Sequence, residues 1–340
     1  MFEVQQCENA LRYLLPAKSV SSSPTGSFTV ADSFAEVLAH ILLLAAVVMW
    51  GWTFVGTKIL VAELAPVDIF AARLAIGVPF LGILLLARGV RPHFRRADVT
   101  RLLLGGGVLT VHFLIQAVAL TTTSASNSGW IIAVTPLVLA VVSYLVLRER
   151  LGWTAIAGIV VALLGVLLLV SRGSVRDLGA LQTTGDWLML LSTLTWAIFT
   201  AITRDVARRH NPLAVTFAVM LAATAVTAVL WWAAGNLEDL TTMSSRSLVA
   251  LLYLGIAGLA LGNWFWQVGI ASVGAARAGL YLYLEPLATV ALAAPLLGEP
   301  FGLFTALGGG LILGGVYLGQ RGRSTAGPAR IHPQVTSAER

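Results

Sequence analysis

Few ionisable side chains lie inside the apolar runs of this sequence, and each that does is a candidate for chemistry. Glu285 is the sharpest. It stands eight residues past Arg277, near the middle of an apolar run, and Pro286 follows it. A proline removes one backbone hydrogen bond and kinks a helix, which would leave carbonyls exposed beside the carboxylate. That combination suits an amine or a proton. The alternative is a structural acid paired with a basic or amide side chain. His112 and Gln116 are four residues apart, so they share a helix face, and Asn263 and Gln267 repeat that spacing. Such pairs either line a polar cavity or hold helices together at about 0.6 kcal/mol per bond. A lone histidine makes neither a proton relay nor a metal site.

Two cations fall within apolar runs. For Arg73, with Glu63 and Asp68 nearby in sequence, a salt bridge or snorkelling to the interface is favoured over substrate contact. It is kept as a structural or gating candidate with Trp52, Pro136 and Pro286. Lys58 reads as a snorkelling side chain. Trp50, Trp52, Phe54, Trp130 and Trp196 have the character of interface residues. Trp264, Trp266, Tyr281 and Tyr283 lie deeper and could line an apolar or cation-accepting pocket. No nucleotide loop, HExxH site or zinc cluster is present, so neither a cofactor nor a metal is expected. The Ser-Gly pair within Ser126–Trp130 suggests an intramembrane serine protease only weakly, since His112 is its sole conceivable partner. Enzymatic activity is not expected.

These residues are carried by a chain of 340 residues that is 57% hydrophobic and only 11% charged. Soluble domains carry about 25% charged residues, so this composition cannot cover a water-exposed surface. The net charge of +6 does not imply nucleic acid, because the basic residues sit in short loops and not along one face. Cys7 is the only cysteine, so an intrachain disulfide is excluded. The first thirty-six residues, with Ser21, Ser22, Ser23, Pro24 and Gly26, read as a disordered tail and not as a signal peptide.

The hydropathy pattern predicts an all-α membrane protein of ten transmembrane helices, at about 37–60, 68–87, 101–121, 127–147, 153–171, 186–203, 213–234, 247–270, 277–297 and 301–319. Each is close to the ~20 residues that cross ~30 Å of hydrocarbon. A β-barrel would instead alternate over ten-residue strands. With the N-terminus inside, seventeen Lys and Arg fall in cytoplasmic loops and tails and three fall outside, at Arg172, Arg176 and Arg246. The positive-inside rule therefore puts both termini in the cytoplasm.

The chain also repeats itself. The stretch from Thr135 aligns with the stretch from Glu285, matching Pro136 with Pro286, Glu149 with Glu299, Gly158 with Gly308 and Gly165 with Gly315, all at one offset. Upstream, Gln116 falls opposite Gln267 and His112 opposite Asn263; Trp52 and Trp196 form a weaker match. Five helices per copy is odd, so the second copy must enter the membrane inverted, an arrangement of many secondary transporters. The repeat predicts that the His112/Gln116 and Asn263/Gln267 pairs face each other across one cavity, with Glu285 in reach. Glycines spaced as GxxxG, at Gly258/Gly262, Gly310/Gly314 and Gly315/Gly319, mark packing helices, with a homodimer face placed on the last segment.

With these motifs the sequence resembles the drug/metabolite transporter superfamily, in its EamA-type branch. The resemblance is carried by Pro136 followed by LRERLG, by Glu285 and Pro286 followed by LLGEPFG, by MWGWTFVGTK at Met49–Lys58 and by AARLAIG at Ala71–Gly77. It covers roughly 40–320. Arg148 and Arg150 make the first turn more basic than is usual for the family. The resemblance implies a ten-helix exporter or exchanger of small metabolites, often amino acids or related compounds. The expected organisation is a cytoplasmic tail (1–36), a first five-helix repeat (37–171), an extracytoplasmic linker (172–185), a second repeat (186–319) and a cytoplasmic tail (320–340). The expected function is secondary transport by alternating access, with the small-molecule substrate and the lipid bilayer as partners. A lipid flippase or scramblase of the same fold is the first rival, and an intramembrane enzyme the second.

Overall fold

The computed structural model describes residues 30–147, 152–171, 183–297 and 303–321, and every regular element among them is helical. The first repeat contributes α1 (Val30–Leu60), α2 (Pro66–Ala87), α3 (Arg96–Thr122), α4 (Ala125–Ile132), α5 (Thr135–Leu147) and α6 (Trp153–Ser171). The second contributes α7 (Thr184–Arg209), α8 (Pro212–Ala234), a short α9 (Leu237–Thr242) and α10 (Ser245–Tyr253), which continues through a π-helical stretch (Leu254–Leu261) into α11 (Gly262–Val273). Then come α12 (Ala275–Tyr281), a 3₁₀ turn (Leu282–Leu284), α13 (Glu285–Leu297) and α14 (Leu303–Arg321). The turns holding Glu149 and Glu299, the Arg172 and Arg176 loop, and both tails lie outside the described residues.

Local chemistry sets the ends. Pro66 opens α2 after Ala65, whose extended backbone is what a residue before proline adopts. The helix closes in a Schellman turn, with Gly89 at φ 63° and the amides of Gly89 and Val90 bonding to Leu86 O and Leu85 O. Thr183 and Asp186 form a capping box on α7, and Asn211 caps α8 ahead of Pro212.

Among the described residues, six helical spans are long and apolar enough to cross a membrane: 37–60, 66–87, 96–122, 184–209, 212–234 and 245–273. The remaining expected crossings are shorter or broken. Segment 4 breaks between α4 and α5, just before Thr135-Pro136. Segment 9 breaks at the 3₁₀ turn, just before Glu285-Pro286. The sequence predicts a kink at Pro286 within a continuous helix. The structure instead places each proline in the first turn of a new helix, where its missing N–H costs no intrahelical bond.

Packing follows the repeat. The close pairs come in mates: α3 against α7 and α11 against α1; α5 against α7 and α13 against α1; α3 against α8 and α2 against the π-helical stretch. The helices α6 and α14 pack on each other through glycines. A Cβ on Gly158 would stand 2.6 Å from Gly315 O, and one on Gly165 would stand 2.7 Å from Gly308 O. Gly308 is the repeat mate of Gly158, and Gly315 of Gly165. This crossed, reciprocal contact is the signature of a two-fold axis. Contacts advance along α6 as they retreat along α14, so the two repeats run in opposite directions. Gly315 and Gly319 are thus buried inside the bundle, against the expectation of a dimer face there, whereas Gly310 and Gly314 have nothing within 4 Å of an added Cβ.

Candidate functional site

A cavity lies where the broken segments meet α1, α3 and α7, with about 400 Å³ of space not filled by atoms, part of it open to solvent. Its walls are aromatic and apolar, from Trp50, Phe54, Phe113, Ile132, Trp196 and Leu282. The polar groups in it are few: Thr53, His112, Gln116, Thr135 and Glu285.

Glu285 is the first residue of α13 and is 5% exposed. No described side chain forms an ion pair or hydrogen bond with its carboxylate. A negative charge is favoured at a helix start. Its repeat mate Thr135 opens α5 and lines the same cavity, with its hydroxyl lacking a partner. The two breaks therefore point their first residues at one space. Thr135 was not among the sequence-derived candidates, although the repeat alignment places it opposite Glu285.

His112 Nδ1 lies 3.1 Å from the Ser192 carbonyl and 3.0 Å from Thr195 Oγ1. Thr195 donates its own proton to Ser192 O, so the histidine must be the donor at Nδ1, leaving Nε2 as an acceptor in the neutral ring. Trp50, Trp196 and Trp266 form a three-ring cluster, with centroids 4.9 Å (Trp50–Trp196), 5.5 Å (Trp50–Trp266) and 5.7 Å (Trp196–Trp266) apart. Trp50 donates to Gly258 O within the π-helical stretch.

The structure does not bring the second polar pair to the cavity. Asn263 donates to Leu259 O of its own turn, and Gln267 donates to Thr203 of α7. Both are buried between helices, so the expected opposition of two matching pairs across one cavity does not hold. The physical reason lies in the bundle: α11 packs its buried face on α1, α7 and α8, whereas the His112 face of α3 looks onto the gap opened by the broken segments. Trp266 is fully buried behind Trp50 and Trp196. Tyr283 is fully buried with its hydroxyl unpartnered. Tyr281 is bonded to His40. Trp52 lies against Tyr253, with Nε1 unpartnered, away from the cavity.

The cations also depart from expectation. Lys58 does not snorkel; it donates to Leu120 O and Thr123 O at 2.7 and 2.8 Å, capping the end of α3. Arg73 is 4% exposed and stacks on Phe113, its guanidinium carbon 4.5 Å from the ring centre. The expected salt bridge is not formed. Asp68 accepts from Trp231 Nε1 and the Asn236 amide. Glu63 accepts from the amide and hydroxyl of Ser244, which hold its carboxyl below the ordinary carboxylate pKa. Among the described residues no cluster of His, Cys, Asp and Glu could hold a metal ion.

The model of the EamA-like transporter family matches residues 37–171 and 183–319. An uncharacterized transporter of Archaeoglobus fulgidus is 25% identical over 280 residues, covering 82% of this chain and 96% of that protein. A probable amino-acid metabolite efflux pump of Salmonella typhimurium is 26% identical over 85% of this chain and 97% of its own length. A probable terminal-alkyne amino-acid exporter of Streptantibioticus cattleyicolor is 25% identical over 81% and 91%. One solved crystal structure superposes with a TM-score of 0.67 at 19% identity, covering 83% of this chain and 98% of that one, so the fold is shared.

Proposed function

We propose, from the premise that this chain belongs to the EamA-like transporter family, that it is a secondary exporter of small amino-acid-like metabolites working by alternating access. It is a multi-pass membrane transporter and not an enzyme. The observation that carries the finer reading is the placement of Glu285: an intramembrane carboxylate without a partner among the described residues, at a helix break, on a cavity walled mainly by aromatic and apolar groups. Helices broken at a repeat interface are where inverted-repeat transporters hold cargo and coupling ions. The relatives named for amino-acid and amino-acid metabolite export supply the substrate class. In this reading ten helices cross the membrane, both termini are cytoplasmic, and rocking of one repeat against the other exposes Glu285 to each side in turn.

Proteoliposomes containing the full chain, loaded with a panel of labelled amino acids, amines and lipids, test this. Saturable exchange of an amino acid is expected. Movement of labelled phospholipid alone would replace the exporter with a flippase. Reporter fusions in the loops holding Arg95 and His210 are expected to read cytoplasmic, and one near Arg246 extracytoplasmic; the reverse pattern removes the orientation.

A further inference from the structure

Arg73 is an intramembrane cation without a counter-ion among the described residues. The two acids nearest it in sequence take their donors elsewhere, Asp68 from Trp231 and Asn236 on Oδ1, with Oδ2 unpartnered, and Glu63 from Ser244. No described carboxylate pairs with it, and its Nε has no acceptor. Its guanidinium face rests on the Phe113 ring. A cation–π contact partly offsets the loss of water, but it does nothing for the in-plane donors, of which Nε–H has no acceptor. A buried charge kept without its partner is expensive.

Its position suggests which partner is missing. Phe113 and its chain neighbour His112 both line the cavity. One terminal nitrogen of Arg73 lies 3.7 Å from where a Cβ on Gly258 would stand, and the same point is 2.7 Å from Cγ2 of Thr53, a third lining residue. The guanidinium therefore sits directly behind the cavity wall, screened by one aromatic ring.

We propose that Arg73 is the anion-recognising residue of this cavity. It receives the carboxylate of a zwitterionic cargo whose ammonium group is met by Glu285, which narrows the substrate class to free α-amino acids with an apolar side chain. The inference rests on the reading of this cavity as the transport site. Arginine's planar fork matches a carboxylate in two parallel hydrogen bonds. A zwitterion brings no net charge into the bilayer and answers both unpaired groups at once. Trp50, Phe54, Ile132, Trp196 and Leu282 supply the apolar surround for the side chain. Rotation of the Phe113 ring off the guanidinium admits the carboxylate.

The test uses the full chain in proteoliposomes loaded with labelled L-leucine. External L-leucine, leucinamide and 4-methylpentanoate compete for exchange, somewhat below the α-amine pKa of ~7.7–8.0, so that the amine is protonated. Leucine is expected to exchange at least about tenfold better than either analogue, because each analogue leaves one charge unpaired. Arg73→Gln is expected to lose about tenfold or more of leucine exchange while leucinamide exchange is kept or raised, and Arg73→Lys to recover part of the leucine exchange. Wild-type protein that takes leucinamide as well as leucine overturns the proposal without any variant. A monodisperse Arg73→Gln protein with undiminished leucine exchange also overturns it, while leaving the transport reading intact. If the wild type moves none of the three compounds, the amino-acid reading of the cavity fails as well.

Discussion

Thr135 and Glu285 occupy the same place in the two copies of the repeat. Each follows a helix break, each precedes a proline in the first turn of the next helix, and each faces one cavity. One is a neutral hydroxyl and the other a carboxylate. The next polar positions diverge further: His112 and Gln116 reach the cavity, whereas Asn263 and Gln267 are bonded into the interfaces of α11. The seam between α6 and α14 behaves in the opposite way, with Gly158 and Gly165 meeting the repeat mates of each other. The two copies are thus alike where backbones must approach and unlike where they meet the cavity. Close packing at a two-fold axis constrains both copies to the same small residue, because either Cβ would collide with the other helix. A cavity wall carries no such constraint, so its chemistry is free to become one-sided.

The largest effect that could break this comparison is expected at its charged side. Glu285→Gln keeps size and polarity but removes the charge, and is expected to fold normally while losing about tenfold or more of transport, or its pH dependence. Thr135→Val at the mate position is expected to change transport by no more than about twofold, the low end of what one neutral hydrogen bond contributes, because its hydroxyl has no partner to lose. Equal losses in proteoliposome exchange would show that the cavity is functionally symmetric after all.

The seam comes next in size. Gly158→Val and Gly315→Val are each expected to destabilise the bundle by about 1–3 kcal/mol or more, since the new side chain overlaps backbone of the facing helix. Gly314→Ala, on the open face of α14, is expected to leave the melting temperature in detergent unchanged. A melt in which Gly158→Val behaves like Gly314→Ala would remove the seam as the packing element.

A smaller effect separates the two polar pairs. Gln116→Leu is expected to raise KM severalfold with little change in thermal stability, because the amide lies on the cavity. Gln267→Leu is expected to cost about 0.6 kcal/mol, the typical worth of one interhelical bond in a membrane, with transport kinetics unchanged. The reverse assignment of KM and stability effects would return the α11 pair to the site. Away from the cavity, Lys58→Met is expected to cost about 1 kcal/mol through loss of the cap on α3, with exchange kinetics unaltered in the proteoliposome assay.

The class of protein was legible in the residues alone. An 11% charged, 57% hydrophobic chain admits only a membrane interior as its surroundings, and in hydrocarbon the backbone must satisfy itself as helix. The repeat was legible too, because matched prolines and glycines at a constant offset reflect backbone needs that both copies share. The choice of Glu285, His112 and Gln116 as candidates rested on the rarity of polar groups in apolar runs, and the structure brings these three to one cavity. What the sequence could not decide was direction around each helix. The 3.6-residue period puts Asn263 and Gln267 on one face as surely as His112 and Gln116. Which face meets a cavity depends on the neighbouring helices, and in a uniformly apolar segment no polar stripe marks the difference. The same is true of Arg73, which lies behind Phe113, with no counter-ion among the described residues, because α2, α3 and the π-helical stretch of segment 8 converge there. Sequence proximity to Asp68 and Glu63 suggested a pair, but tertiary structure gave those acids to α8 and the loops beyond it, since a carboxylate takes the donors that packing presents to it.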